Sequence, residues 1–527
     1  SRMHSSSSEK WRYTWEGQSH SPNLKLFLFS SYTKPSDHCL QVRAAVLLSK
    51  ALLTVTWTPS GESQNGAADV SLDVPLPIVL VDPDAPVYSR ALEDHVEIKL
   101  LLLLPVDHPL TLSELCFNGV NDCNRDELSQ TNYTFELKSL NSQEGGVHFY
   151  CRGCSGQLTK SSIRRFVEMP SVNWQELADN WFDGCCGSFG RASERLVRRF
   201  VDSYACVEGV GYLSSSAVTL CADDVLGFQQ IDVDCNGHTV SSDADENNNK
   251  NCAQHGYEKL AEDKVAEQMR LLSLEKKTGD DGVHEHLSEE TNINSDSCHC
   301  HNSHEDEQAI PPLPNLKEDK RSLRDGYLGD GFISKSQNLS AKIKWKSFNC
   351  PTCSSFLGAF PCTDEGVSID KGVRLYKCSV STSLAKCEAK DHFREYSLEK
   401  MISHELIEKE KDELSFKTVV RDLQTRAPLL RLVILNSSSW SCCGVCPDSQ
   451  SSNKLMMNLK LNPILKIMFS VYDDRQVNNW DIKHQPDELF MMGHMIEQLK
   501  KSLESSKDFL PASCKSIQGF SLSSLPR

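Results

Sequence analysis

The sequence predicts an α+β protein: a β-rich N-terminal half and a mixed α+β C-terminal half, joined by a long disordered acidic insert. Three observations carry that expectation. Leu-, Val-, Ile- and Thr-rich runs separated by polar turns fill 23–150, the composition breaks over 236–342, and strand-like and helix-like runs alternate after 343. With 527 residues, the chain is long enough for more than one ordinary core.

Taken in order, residues 1–22 are Ser-rich and polar and read as a loose tail. The first half, 23–235, opens with "LKLFLFSSY" (24–32), "AAVLLSKALLTVTWT" (44–58), "VSLDVPLPIVLVD" (70–82), "VEIKLLLLLPV" (96–106) and "YTFELKSL" (133–140), all read as strands of a sandwich or barrel. None of these apolar runs reaches the roughly 18 to 20 residues of a membrane span, so a soluble protein without membrane contact is expected. "PSVNWQELADNWF" (170–182) carries a cap at Ser171 or Asn173, Glu176 three residues after Asn173, and Trp174, Leu177, Ala178 and Trp181 at helical spacing. It predicts a short helix that leads into a glycine-flanked loop with Cys185, Cys186 and Phe189. Strand character returns over 211–228.

The insert, 236–342, is polar and without sustained period; its stretch 241–310 holds 17 Asp/Glu against 6 Lys/Arg. One weak helical pattern runs over 257–277, with Leu260, Met269 and Leu272. In the second half, 343–527, order resumes near 343–358, a strand-like run follows at 373–381, helices are expected over 397–414 and 487–503, and the runs 416–423, 429–437 and 459–473 complete an α+β mixture. Leu398, Met401, Ile402 and Leu406 form an apolar stripe on the first of these helices. Such a stripe serves either the core or docking of a partner.

The formal charge of −16 is concentrated in the insert, and no broad basic face argues for direct nucleic-acid binding. The 22 cysteines are far below the density of a disulfide-stapled mini-domain and read as reduced thiols. Two knuckles stand out: Cys151-x-x-Cys154 in "YCRGCSGQL" and Cys350-x-x-Cys353 in "NCPTCSSFLG". A C-x-x-C turn presents two thiolates to one tetrahedral ion, and two turns supply four, so these residues are the expected ligands of one structural zinc. The nearly 200 residues between them add little cost, because loop closure rises by only about 0.6 kcal/mol per doubling of length. Zinc binding worth roughly 10 kcal/mol or more outweighs it. The alternative is four independent thiols.

Other thiols carry weaker signals. Cys298, Cys300, His301 and His304 sit in the insert, where no packing holds ligand geometry. Cys442, Cys443 and Cys446 lack a matching partner pair. Cys514 has only Lys515 as a charged neighbour, which gives little reason for a reactive thiolate. Cys185 and Cys186 either join Cys151 and Cys154 around a metal or remain free in a protruding loop. The eight closely spaced ligands of a RING cross-brace are not in evidence.

"YCRGC", the N-W-x-E-L-x-x-x-W pattern at 173–181, the Cys185–Cys186 loop and "CPTC-x-x-x-LG" occur in an order that resembles the HECT-like ubiquitin-conjugating-enzyme-binding family of ubiquitin-protein ligases. The resemblance covers most of 90–235 and 343–520. It implies an E3 ubiquitin-protein transferase that binds a ubiquitin-conjugating enzyme and promotes mono-, poly- and auto-ubiquitination, with ubiquitin and cyclins as partners and a cytoplasmic and nuclear location. It also implies an alternative: inhibition of the zinc-dependent endonuclease of mRNA 3'-end processing, with Cys186 entering its active site and Trp174, Trp181 and Phe189 as apolar anchors. No catalytic residue declares itself, and the stripe on 397–414 is the candidate docking site for the conjugating enzyme.

Overall fold

In a computed structural model, residues 10–60, 69–111, 136–168, 206–228, 343–363, 366, 368–384, 391–447, 459–472 and 486–527 are described. All belong to the unit formed by 1–232 and 317–527. The described part is mostly β-sheet with few helices, in line with the β-rich part of the expectation. No described helix is long and apolar enough to cross a membrane.

The largest sheet has ten strands and draws on both ends of the chain. Its axis is the 18-residue strand Pro428–Val445. One edge of that strand is used twice: Leu430–Val433 pair with Lys417–Val420, and Ser439–Val445 pair with Arg12–Gln18. The other edge pairs with Asn462–Val471 through register shifts near Asn436, which let so long a strand bend. Outward from Arg12–Gln18 follow Asn23–Phe29, Val96–Leu101 and Tyr88–Ala91, all antiparallel. Alternation explains the inner face: Leu24, Leu26, Leu28, Val96, Ile98 and Leu100 are buried in one cluster with Trp11, Tyr13 and Trp15. The three-stranded sheet Cys39–Leu47, Leu52–Pro59 and Val70–Pro75 contributes Leu53, Val55, Trp57 and Val74 to the same cluster. The loose tail expected over 1–22 is corrected over 12–18, because Arg12–Gln18 is an interior strand of this sheet, while residues 1–9 lie outside the described residues.

The second sheet has six strands in the order Lys344–Asn349, Phe356–Cys362, Gly372–Tyr376, Ala217–Cys221, Val210–Leu213 and Arg165–Glu168. Ala217–Cys221 and Gly372–Tyr376 lie side by side, so strands that flank the insert in sequence share a sheet in space. Arg374 and Asp370 form a fully buried ion pair beside this junction, with contacts of 2.6 and 3.0 Å.

Two helices complete the core: α1, Leu398–Glu413, and α2, Gly493–Ser506. Ser397 caps α1 by accepting a bond from the Lys400 amide, and Leu414 ends it in the left-handed region. Met495, Ile496, Leu499 and Leu503 of α2 pack in one cluster with Leu398, Met401, Ile402 and Leu406 of α1. The stripe proposed as a docking site is therefore core: all four side chains are at most 4 % exposed, and none is free to enter a partner's groove.

Two further expectations change. Residues 136–141, within the run read as a strand, are helical, with Glu136 and Leu140 buried one turn apart. The helix expected over 487–503 begins at Gly493; before it, Asp487–Met491 pairs in parallel with Thr418–Asp422. A short fully apolar run reads alike as strand or helix, and here burial of three consecutive residues, Leu489, Phe490 and Met491, goes with the strand.

Candidate metal centre

Each C-x-x-C turn closes a short hairpin-like loop, and the two repeat one backbone pattern. The Cys151 amide donates to Gly156 O at 2.9 Å and the Ser155 amide to Cys151 O at 2.8 Å. The Cys350 amide donates to Ser355 O at 2.8 Å and the Ser354 amide to Cys350 O at 2.9 Å. Ser155 and Ser354, each following the second cysteine, both take left-handed conformations, with φ of 59° and 60°. Gly156 permits the close approach of the two loops, since a Cβ there would stand 3.2 Å from Cys154 Sγ and 3.3 Å from Thr352 Oγ1.

The loops face each other so that sulfurs pair across them. Cys151 Sγ lies 3.7 Å from Cys353 Sγ, and Cys154 Sγ lies 3.6 Å from Cys350 Sγ. All four sulfurs fall within 4.8 Å of one another. A tetrahedral ion with metal–sulfur bonds of about 2.3 Å sets its sulfurs about 3.8 Å apart, whereas a disulfide needs about 2.05 Å. The spacing therefore fits a shared cation, and the cluster could bind a metal ion. Cys151 and Cys350 are buried, while Cys154 and Cys353 face solvent. Burial pushes the Cys151 thiol up to about 12. The Ser355 hydroxyl and amide hold Cys353 down at about 6. A bound cation would favour all four thiolates together.

Arg152, inside the first turn, was not singled out by sequence and is the residue that fixes this turn in the fold. Its Nε donates to Val380 O at 2.9 Å, Nη1 to Tyr396 O at 3.0 Å and Nη2 to Phe393 O; Asp391 lies 3.8 Å away. Asp391 in turn accepts from the Thr382 and Phe393 amides. The same segment is pinned by the buried Lys377, whose ammonium contacts Glu136 at 3.1 Å and lies 4.7 Å from the Tyr396 ring centre. The available signal in the sequence was the contrast between Arg-Gly in one knuckle and Pro-Thr in the other. A cleft of about 450 Å³ opens beside the turn, bordered by Arg152, Ser355, Cys378, Tyr396 and the start of α1.

The remaining predicted thiols do not join this centre. Among the described residues, no other group of three or more metal-type side chains comes together. Cys442 and Cys446 are buried in the N-terminal core, where burial pushes each thiol up to about 12. Burial also raises Cys514, helped by the carboxylates of Asp94 and Glu16, the reverse of what a thiolate nucleophile needs. Trp174, Trp181, Cys185, Cys186, Phe189, Cys298, Cys300, His301 and His304 lie outside the described residues.

No curated protein and no solved structure matches the chain. A family profile does: that of the HECT-like Ubiquitin-conjugating enzyme (E2)-binding family aligns with residues 42–254 and 290–522, taking in one knuckle in each segment. The paired knuckles thus stand inside a match that spans most of the sequence, and the chain belongs to the HECT-like ubiquitin-conjugating enzyme (E2)-binding family.

Proposed function

We propose that the protein is a ubiquitin-protein ligase that binds a ubiquitin-conjugating enzyme, promotes mono- and polyubiquitination of substrates and of itself, and is held in its active shape by one zinc ion on Cys151, Cys154, Cys350 and Cys353. The observation that carries this reading is the family match across both knuckles. Four thiolates in a tetrahedral arrangement suit zinc or iron. Zinc is favoured because a structural cross-link needs no redox chemistry. The stripe of α1 is buried in the core, so the conjugating enzyme docks elsewhere on the surface. Nothing in the described residues favours the endonuclease-inhibitor reading, which depends on Cys186.

The test is reconstitution of the full chain with ubiquitin, the activating enzyme and a panel of charged conjugating enzymes. We expect at least one conjugating enzyme to discharge faster in the presence of the chain and to leave ubiquitin on its lysines. Failure with every conjugating enzyme, using zinc-loaded and folded protein at saturating concentration, would remove the ligase reading.

A further inference from the structure

The outer face of the large sheet, on the strands Asn23–Phe29, Tyr88–Ala91 and Val96–Leu101, gathers more positive charge than its own chemistry requires. Glu97 is nearly buried, with its side chain 6 % exposed, yet Lys25, Arg90 and Lys99 converge on it at 3.5, 3.0 and 3.6 Å. Burial pushes the Glu97 carboxyl up, but these three cations outweigh it and hold the group below its usual range. One cation would neutralise the carboxylate. The other two leave a local positive surplus on a chain whose formal charge is −16.

The same face carries exposed apolar side chains. Strand pairing sets Tyr88 and Lys25 on either side of Lys99, and Asn23 beside Leu101. Tyr88 is 49 % and Leu101 41 % exposed; Leu103 continues the apolar row and is bonded through its amide to the carbonyl of the exposed Leu80. The cations are held in place: Lys99 Nζ sits 5.5 Å from the Tyr88 ring centre and Lys25 Nζ 5.5 Å from that of Phe27. Asp82, whose amide bonds Leu101 O, marks the border of the patch. A partner that covered this surface with neutral or basic groups would strip water from the surplus cations without pairing them. Carboxylates would pair them while apolar neighbours covered Tyr88, Leu101 and Leu103.

We propose that this face docks an acidic segment of a partner protein in which carboxylates alternate with leucine or aromatic side chains. The probe is a short fluorescein-labelled peptide alternating Glu and Leu, beside its Lys–Leu counterpart, titrated with the full chain by fluorescence anisotropy. We expect the Glu–Leu peptide to bind and the Lys–Leu peptide not to. Lys25→Gln/Lys99→Gln keeps the Arg90–Glu97 pair and, with an unchanged circular dichroism spectrum, should weaken binding by about tenfold or more, as loss of two charge contacts implies. Tyr88→Ala, at an exposed position, should weaken it as well, and added salt should weaken the native protein more than the double variant. Failure of the Glu–Leu peptide to bind, equal binding of both peptides, or undiminished binding to the folded double variant would overturn the proposal.

Discussion

Arg152 shows how much of the metal centre depends on a residue that is not a ligand. Its guanidinium bridges Val380, Phe393 and Tyr396, whereas Lys could present only one ammonium to three divergent carbonyls. Arg152→Ala should destabilise the fold by about 2 to 3 kcal/mol in urea titration, since charge-assisted bonds are lost and buried carbonyls left unpaired, and Arg152→Lys should recover only part of it. The thiols make a separate, pH-dependent prediction. Cys151 keeps its proton up to about 12 in the metal-free protein, so that proton must leave on binding and metal affinity should rise with pH. Below about 6 Cys353 is protonated as well, and the affinity should fall more steeply there because one more proton has to be displaced. A metal affinity independent of pH in titrations across this range would contradict thiolate ligation.

At the level of elements, α1 and α2 place their apolar faces in a common core. Ile402→Ala should cost about 2 to 5 kcal/mol, as other large-to-small core changes do, and lower the melting temperature accordingly. The milder Ile402→Val should leave conjugating-enzyme affinity unchanged in a folded protein, because the side chain is inside. Sequence alone could find that stripe but not decide its use, since helical spacing is the same for a core face and a docking face. The C-x-x-C turns were legible because their chemistry lies within four residues; the pairing of Cys151 with Cys353 and of Cys154 with Cys350 spans 202 and 196 residues and leaves no local trace. Arg152 was hidden for a related reason, as its acceptors are backbone carbonyls 228 to 244 residues away. Arg12–Gln18 did carry a usable signal: Trp11, Tyr13 and Trp15 alternate with polar residues, a strand period masked by the serine-rich text before it.

For the whole molecule, the two ends of the chain are woven together. Arg12–Gln18 completes a sheet built largely from 417–526, Ala217–Cys221 joins Gly372–Tyr376, and the four-thiol cluster ties the same two portions a third time. A metal at this position therefore cross-links segments that no short stretch of backbone connects, and its loss should loosen the fold as a unit rather than release one finger. The measurement that tests this most directly is the metal-to-protein ratio of the purified full chain, set beside Cys151→Ser/Cys154→Ser/Cys350→Ser/Cys353→Ser and Cys185→Ser/Cys186→Ser. One zinc per chain in the native protein and in the second variant, with almost none in the first, is the expected result. Zinc retained by the first variant, or lost from the second, would contradict a cross-link made by the two knuckles.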